Sequence, residues 1–200
     1  MIYWIGFLTV KILNWIYFPT TYINLKKLPR GSFILASNHL SNLDPFILGT
    51  SRWRHFSFVA KDSLFKNRFL AFIFREFGAI PIKRDTSDFR AIREVLRRVK
   101  KGHPLVVFPE GTRGAGDRTK KIQAGVGLIA LKAGVPVVPA FIEGSNKVLP
   151  PGGRWFRRHP VTIVFGEPIH FSKDASYSDV AQMIMTAVYT LSDKKLAVQK

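Results

Sequence analysis

One histidine and one carboxylate lie close enough along the chain to work as a pair. They are His39 and Asp44, in the stretch Asn38-His39-Leu40-Ser41-Asn42-Leu43-Asp44-Pro45. A histidine whose ring is steadied by a carboxylate is a competent general base near neutral pH. The chain contains no cysteine, which excludes thiol nucleophiles, disulfides and cysteine-type zinc sites. No Ser-His-Asp order competes nearby. The plainer reading of the same residues is a turn histidine beside a helix-capping aspartate, and this stretch alone does not separate the two.

A second group of residues suits an anion. Pro109-Glu110-Gly111-Thr112-Arg113-Gly114 follows an apolar run, with Gly116 just beyond. Glycines let backbone N–H groups approach a negative charge closely, and the Arg113 guanidinium offers a planar fork matched to phosphate. Glu110 can orient Arg113 or accept a hydrogen bond from a substrate hydroxyl. The turn is not a nucleotide-binding P-loop, because the Lys-Ser/Thr ending is missing. Lys83 and Arg84, closing Gly78-Ala79-Ile80-Pro81-Ile82-Lys83-Arg84-Asp85, could also hold a phosphate. Taken alone, that pair reads better as solvated charge.

The elements that position these residues follow from short apolar runs bounded by turn residues, which read as buried strands. Phe33 to Ala36 predicts a strand entering the His39 loop, and Asp44-Pro45 predicts a helix start with Asp44 as N-cap. His39 and Asp44 thus fall in one strand-to-helix loop, where α/β sheets bind ligands. His55 to Ala60 predicts a strand, and Leu64 to Phe77 an aromatic-rich helix. Gly78 to Ile82 predicts an edge or irregular strand, because of Pro81. Phe89, Ile92, Val95, Leu96 and Val99 recur at helical spacing over Phe89 to Lys100, with Arg90, Arg93, Arg97 and Arg98 opposite. Pro104 to Phe108 predicts a buried strand, and Val126 to Ala133 a short helix ended by Gly134. Val135 to Ile142 predicts a strand at an edge or bulge, because it carries two prolines. Val161 to Phe165 predicts the last strand and Tyr177 to Val198 the last helix.

The first eighteen residues are almost wholly apolar, interrupted by Gly6, Thr9, Lys11 and Asn14. A spanning helix needs about 20 apolar residues, and a lysine at its middle costs about 2.5–3.5 kcal/mol. An interfacial or re-entrant helix is the preferred reading, with a single span as the alternative and a core helix as the plain one. Tyr3, Trp4, Trp15, Tyr17 and Tyr22 suit the headgroup zone, and Lys26, Lys27 and Arg30 place the rest of the chain on the cytoplasmic face of a cell membrane.

The chain has 200 residues, 46% of them hydrophobic and seventeen of them Phe, with a formal charge of +18. This fits one domain with a sizeable core and implies an anionic partner. A basic nucleic-acid-binding protein is the rival from another class. The absence of a nucleic-acid motif and the apolar first eighteen residues speak against it.

The whole pattern resembles the glycerolipid acyltransferase family, in particular its bacterial 1-acylglycerol-3-phosphate acyltransferases. Four blocks carry the resemblance in order: Asn38-His39 with Asp44 after four residues, Gly78 to Arg84, Phe108 to Arg113, and Val135 to Pro139. Each block is weak alone, and the four in order are specific. Ala140 departs from the pattern, since a larger aliphatic residue is frequent there. The resemblance implies an α/β fold with a mixed, largely parallel sheet flanked by helices over residues 26–200, and a membrane-binding helical segment over residues 1–25. It implies acyl transfer to the free hydroxyl of lysophosphatidate, with another lysophospholipid or a lyso-aminolipid as alternative acceptors. Catalysis would fall to His39 and Asp44. Glu110, Gly111, Thr112 and Arg113 would bind the substrate phosphate, with Arg84 and Lys83 assisting. The donor would be acyl-CoA or acyl carrier protein, the partner surface anionic membrane lipid, and no cofactor or metal is expected.

Overall fold

The computed structural model describes residues 2–83, 88–111, 124–153 and 155–198. The apolar runs become the inner strands of one sheet. β1 (Thr20–Ile23), β2 (Ile34–Ser37), β3 (Ser57–Lys61), β4 (Ala79–Ile82), β5 (Leu105–Val107), β6 (Val137–Glu143) and β7 (Val161–Phe165) stand side by side in the order β1-β7-β6-β2-β5-β3-β4. β2 and β5 are buried at every position, as strands covered on both faces must be. From β6 through β2, β5 and β3 to β4 the strands are parallel. β7 runs antiparallel to β6, and β1 runs parallel to β7. The sheet is mixed and largely parallel, as the family resemblance implies.

The helices are α1 (Ile2–Tyr17), α2 (Asp44–Gly49), α3 (Arg68–Glu76), α4 (Phe89–Lys100), α5 (Ala124–Ala133), α6 (Ser145–Val148) and α7 (Tyr177–Val198). Side chains alternate along a strand, so each strand feeds two cores. Leu35, Val106, Val138 and Ile163 point to one core, with Val10 and Leu13 of α1, Ile47 and Leu48 of α2, and Phe74 of α3. Ile34, Ala36, Leu105 and Val107 point to the other, with Val95 of α4, Ile129 of α5, and Val180 and Ile184 of α7.

β4 is an edge strand, as Pro81 suggests. β6 is not: it lies between β7 and β2, although it contains Pro139. The Pro139 carbonyl accepts from the Gly166 N–H at 2.8 Å, one residue beyond the end of β7. In an antiparallel ladder the N–H and C=O of one residue face the same neighbour. The donor that Pro139 lacks is therefore missed only where the pairing already stops. Gly166 makes the room, since a Cβ there would lie 2.7 Å from Pro139 Cγ.

The aromatic segment after β3 also differs from expectation. A 3-10 turn covers Asp62–Phe65, and α3 starts only at Arg68. Asn67 sets that start by accepting from the N–H groups of Phe69 and Leu70 through its side chain.

α1 ends at Tyr17, and Thr20–Ile23, inside the first 25 residues, is an edge strand rather than helix. α1 lies on the sheet through Tyr3 and Phe7. The Tyr3 hydroxyl donates to the Arg54 carbonyl at 2.8 Å and accepts from the Phe56 N–H at 3.0 Å, and its ring stacks on His55. Tyr3 is thus turned into the body instead of toward a headgroup zone. Burial raises its pKa to about 12. Ile5, Leu8, Ile12 and Trp15 line the exposed side. The Lys11 ammonium lies 5.8 Å over the Phe7 ring and 5.6 Å over the Tyr22 ring. Among the described residues no helix is long and apolar enough to cross a membrane.

Candidate active site

β2 delivers Asn38 and His39 past its carboxyl end, and the loop turns at once into α2. Asp44 is the first residue of α2, with Leu43 at the N-cap. The expected capping role of Asp44 is not what its carboxylate does. It turns back into the loop, where Oδ2 accepts from the N–H groups of Leu40 at 2.6 Å and Ser41 at 2.8 Å. The same oxygen lies 2.9 Å from His39 Nδ1. Asp44 is wholly buried, and the His39 side chain is 13% exposed. A buried carboxylate accepts rather than donates, so it selects the tautomer with hydrogen on Nδ1. Nε2 is then the nitrogen able to take a proton.

Three further contacts hold the loop in place. Asn38, fully buried, donates from Nδ2 to the Ile142 carbonyl at 2.9 Å and accepts from the Ile142 N–H at 2.8 Å. Its amide thus replaces a stretch of ladder between the loop and β6. Ser41 Oγ donates to the Leu149 carbonyl at 2.8 Å. The Phe108 ring stacks on the imidazole with centroids 4.1 Å apart.

Phe108 follows β5, the immediate neighbour of β2, so the Phe108–Gly111 turn lies beside the His39 loop. The Gly111 N–H donates to the Phe108 carbonyl at 2.9 Å, closing the turn, and Gly111 has φ +66°. Glu110 at its corner is 3% exposed and accepts from the Tyr189 hydroxyl at 2.8 Å through Oε1. Lys83 stands exposed at the carboxyl end of β4, on the same end of the sheet but two strands from β5. Its backbone N–H donates to Asp88 at 3.1 Å.

The structure therefore brings together His39, Asp44, Glu110 and Gly111 at the adjoining ends of β2 and β5. Lys83 lies apart from them. Arg84, Thr112 and Arg113 lie outside the described residues. Sequence reasoning assigns no role to Asn38, Phe108 or Tyr189. Asn38 and Phe108 sit inside the motifs, whereas nothing in the local pattern marks Tyr189. Among the described residues, no cluster of three or more His, Asp or Glu could hold a metal ion.

Residues 19–143 match the family model described as Acyltransferase. The chain is 31% identical over 171 residues to a chloroplastic 1-acyl-sn-glycerol-3-phosphate acyltransferase of Brassica napus, covering 83% of this chain and 49% of that protein. It is 30% identical over 182 residues to the 1-acyl-sn-glycerol-3-phosphate acyltransferase of Streptococcus pneumoniae, covering 86% of this chain and 66% of that one. The chain thus spans about half the length of the plant relative. Among solved structures it resembles the 1-acyl-sn-glycerophosphate acyltransferase PlsC of Thermotoga maritima. The TM-score is 0.71 at 27% identity, over 96% of this chain and 78% of that one.

Proposed function

The chain belongs to the acyltransferase family, and from that premise we propose that it is an O-acyltransferase that moves a fatty acyl group from a thioester to the free hydroxyl of lysophosphatidate, yielding phosphatidate. The observation that carries this reading is the His39–Asp44 pair, with Nδ1 and Oδ2 2.9 Å apart at the end of a buried strand. His39 Nε2 removes the hydroxyl proton as the oxygen attacks the thioester carbonyl carbon. Asp44 holds the ring and stabilises the imidazolium. Collapse of the tetrahedral intermediate breaks the C–S bond, and His39 returns the proton to the departing thiolate. No covalent acyl-enzyme is required. Glu110, Gly111, Thr112 and Arg113 bind the acceptor phosphate in this reading, with Arg84 assisting; Lys83, two strands from β5, is not needed for it. The names of the relatives support the choice of acceptor, and the formal charge of +18 suits both it and an anionic membrane surface.

The membrane side of the reading rests on α1. Its exposed Leu8, Ile12 and Trp15, with Trp155 and the α3 residues Phe69 and Phe72, give the protein apolar side chains that water does not favour. α1, α2 and α3 cover the same sheet face, which supports a reading in which that face meets the membrane.

The test is acylation by purified protein of lysophosphatidate against other lysophospholipids and lyso-aminolipids, offering acyl-CoA and acyl carrier protein as alternative donors. Preference for lysophosphatidate supports the reading. Transfer to another acceptor with lysophosphatidate refused replaces the acceptor, and failure with every acceptor and both donors removes the activity.

A further inference from the structure

The residues that carry the family pattern end at Glu143, yet one of them is gripped from outside that region. Tyr189, on α7, is 7% exposed and packs its ring edge-on against Phe141, with centroids 6.1 Å apart. Its hydroxyl donates to Glu110 Oε1 at 2.8 Å. Glu110 is the corner of the turn whose first residue, Phe108, lies on the imidazole of His39, and whose last, Gly111, leads into the proposed phosphate-binding segment. A hydrogen bond to a buried carboxylate is among the stronger ones a side chain can make. It is also directional, so it fixes where the corner sits as well as whether it stays folded.

We propose that Tyr189 is a positioning residue for acyl transfer: its hydroxyl holds the Glu110 corner, and through that corner sets the acceptor side of the site. The inference rests on the acyltransferase reading. It assigns α7 a part in acceptor binding, exerted through Glu110. The proposal ties this turn to the acceptor, so the two substrates should respond differently.

The experiment is steady-state kinetics of Tyr189→Phe, which keeps the ring and its packing on Phe141 and removes only the hydroxyl. The expected result is a kcat/KM for lysophosphatidate about 10-fold lower, most of it in the acceptor KM, with the donor KM changed by less than about twofold. A purely structural tyrosine would lower the melting temperature and the active fraction and leave both KM values alone. That outcome overturns the proposal. In a Glu110→Ala background, Tyr189→Phe should change the acceptor KM much less than it does in the wild type, because the hydrogen bond between the two is already gone. Additive losses would also overturn it, and this cycle can be read even if Tyr189→Phe is less stable. A wild-type protein that acylates no lyso acceptor would sink this inference together with the reading beneath it. An active wild type with an unchanged acceptor KM in Tyr189→Phe sinks the inference alone.

Discussion

The imidazole of His39 lies nearly parallel to the ring of Phe108, with centroids 4.1 Å apart and planes inclined by 22°. The stacked ring limits how far the imidazole can swing from the geometry that its hydrogen bond to Asp44 sets. Phe108→Ala should lower kcat by about 10- to 100-fold, the range expected when a reacting group is displaced by about 1 Å. Phe108→Tyr should retain most activity. Equal kcat in wild type and the alanine variant would show that the stacking is incidental.

His39→Ala should remove about 10²–10⁴-fold of turnover while the far-UV circular dichroism is unchanged. Asp44→Asn should also lower turnover, by another route: its amide oxygen can take the place of Oδ2 toward Leu40, Ser41 and Nδ1, but without the charge that stabilises the imidazolium. If Asp44→Asn keeps full kcat, the aspartate organises the loop and nothing more.

Asn38→Ala tests the joint between the loop and β6. It removes two hydrogen bonds and leaves the N–H and C=O of Ile142 buried without their partner. The cost should be about 2–4 kcal/mol, read from chemical denaturation as a lower midpoint at constant slope. A loss under about 0.5 kcal/mol would mean that β6 re-pairs locally.

His55 predicts a pH dependence of stability. Burial, followed by the nearby charges of His103 and Arg98, lowers its pKa from 6.5 to about 4. The unfolded chain therefore takes up this proton at a higher pH than the folded one. The stability contributed by neutral His55 is complete above pH 6.5 and is lost as the pH falls toward 4. Between those limits the wild type should lose roughly 3–6 °C of melting temperature more than His55→Phe, which keeps a ring against Tyr3. Parallel melting curves for the two proteins would place the acid sensitivity elsewhere.

The exposed side of α1 predicts lipid binding. Replacing Leu8, Ile12 and Trp15 together by serine should reduce partition onto anionic vesicles roughly 100-fold, on the area scale for apolar burial. Flotation assays measure it, and undiminished flotation of the triple variant would show that another surface meets the lipid.

The parts of this structure that can be read from the sequence are those settled by near neighbours. The five-residue step from His39 to Asp44 fits one loop, so the pair is visible before any strand is placed. α4, β7 and α7 begin and end where periodicity and turn residues put them. The contacts that are not visible join residues far apart in the chain. Asn38 meets Ile142 across 104 positions, and Tyr189 meets Glu110 across 79. The interior place of β6 is hidden for the same reason: whether Pro139 harms a strand depends on where β7 stops, which no local window contains. The second face of Asp44 is hidden because a carboxylate at the start of a helix looks the same whether it caps that helix or binds the loop before it.

The pairing of β1 with β7 has a consequence for biosynthesis. The strand that directly follows α1 finds its neighbour in the sheet roughly 140 residues later, at Val161–Phe165. At about 5–20 residues per second, a ribosome needs roughly 7–30 s to cover that interval. Throughout it β1 has no strand to pair with, and a bilayer near the exit tunnel would be a ready shelter for the apolar helix that leads into it.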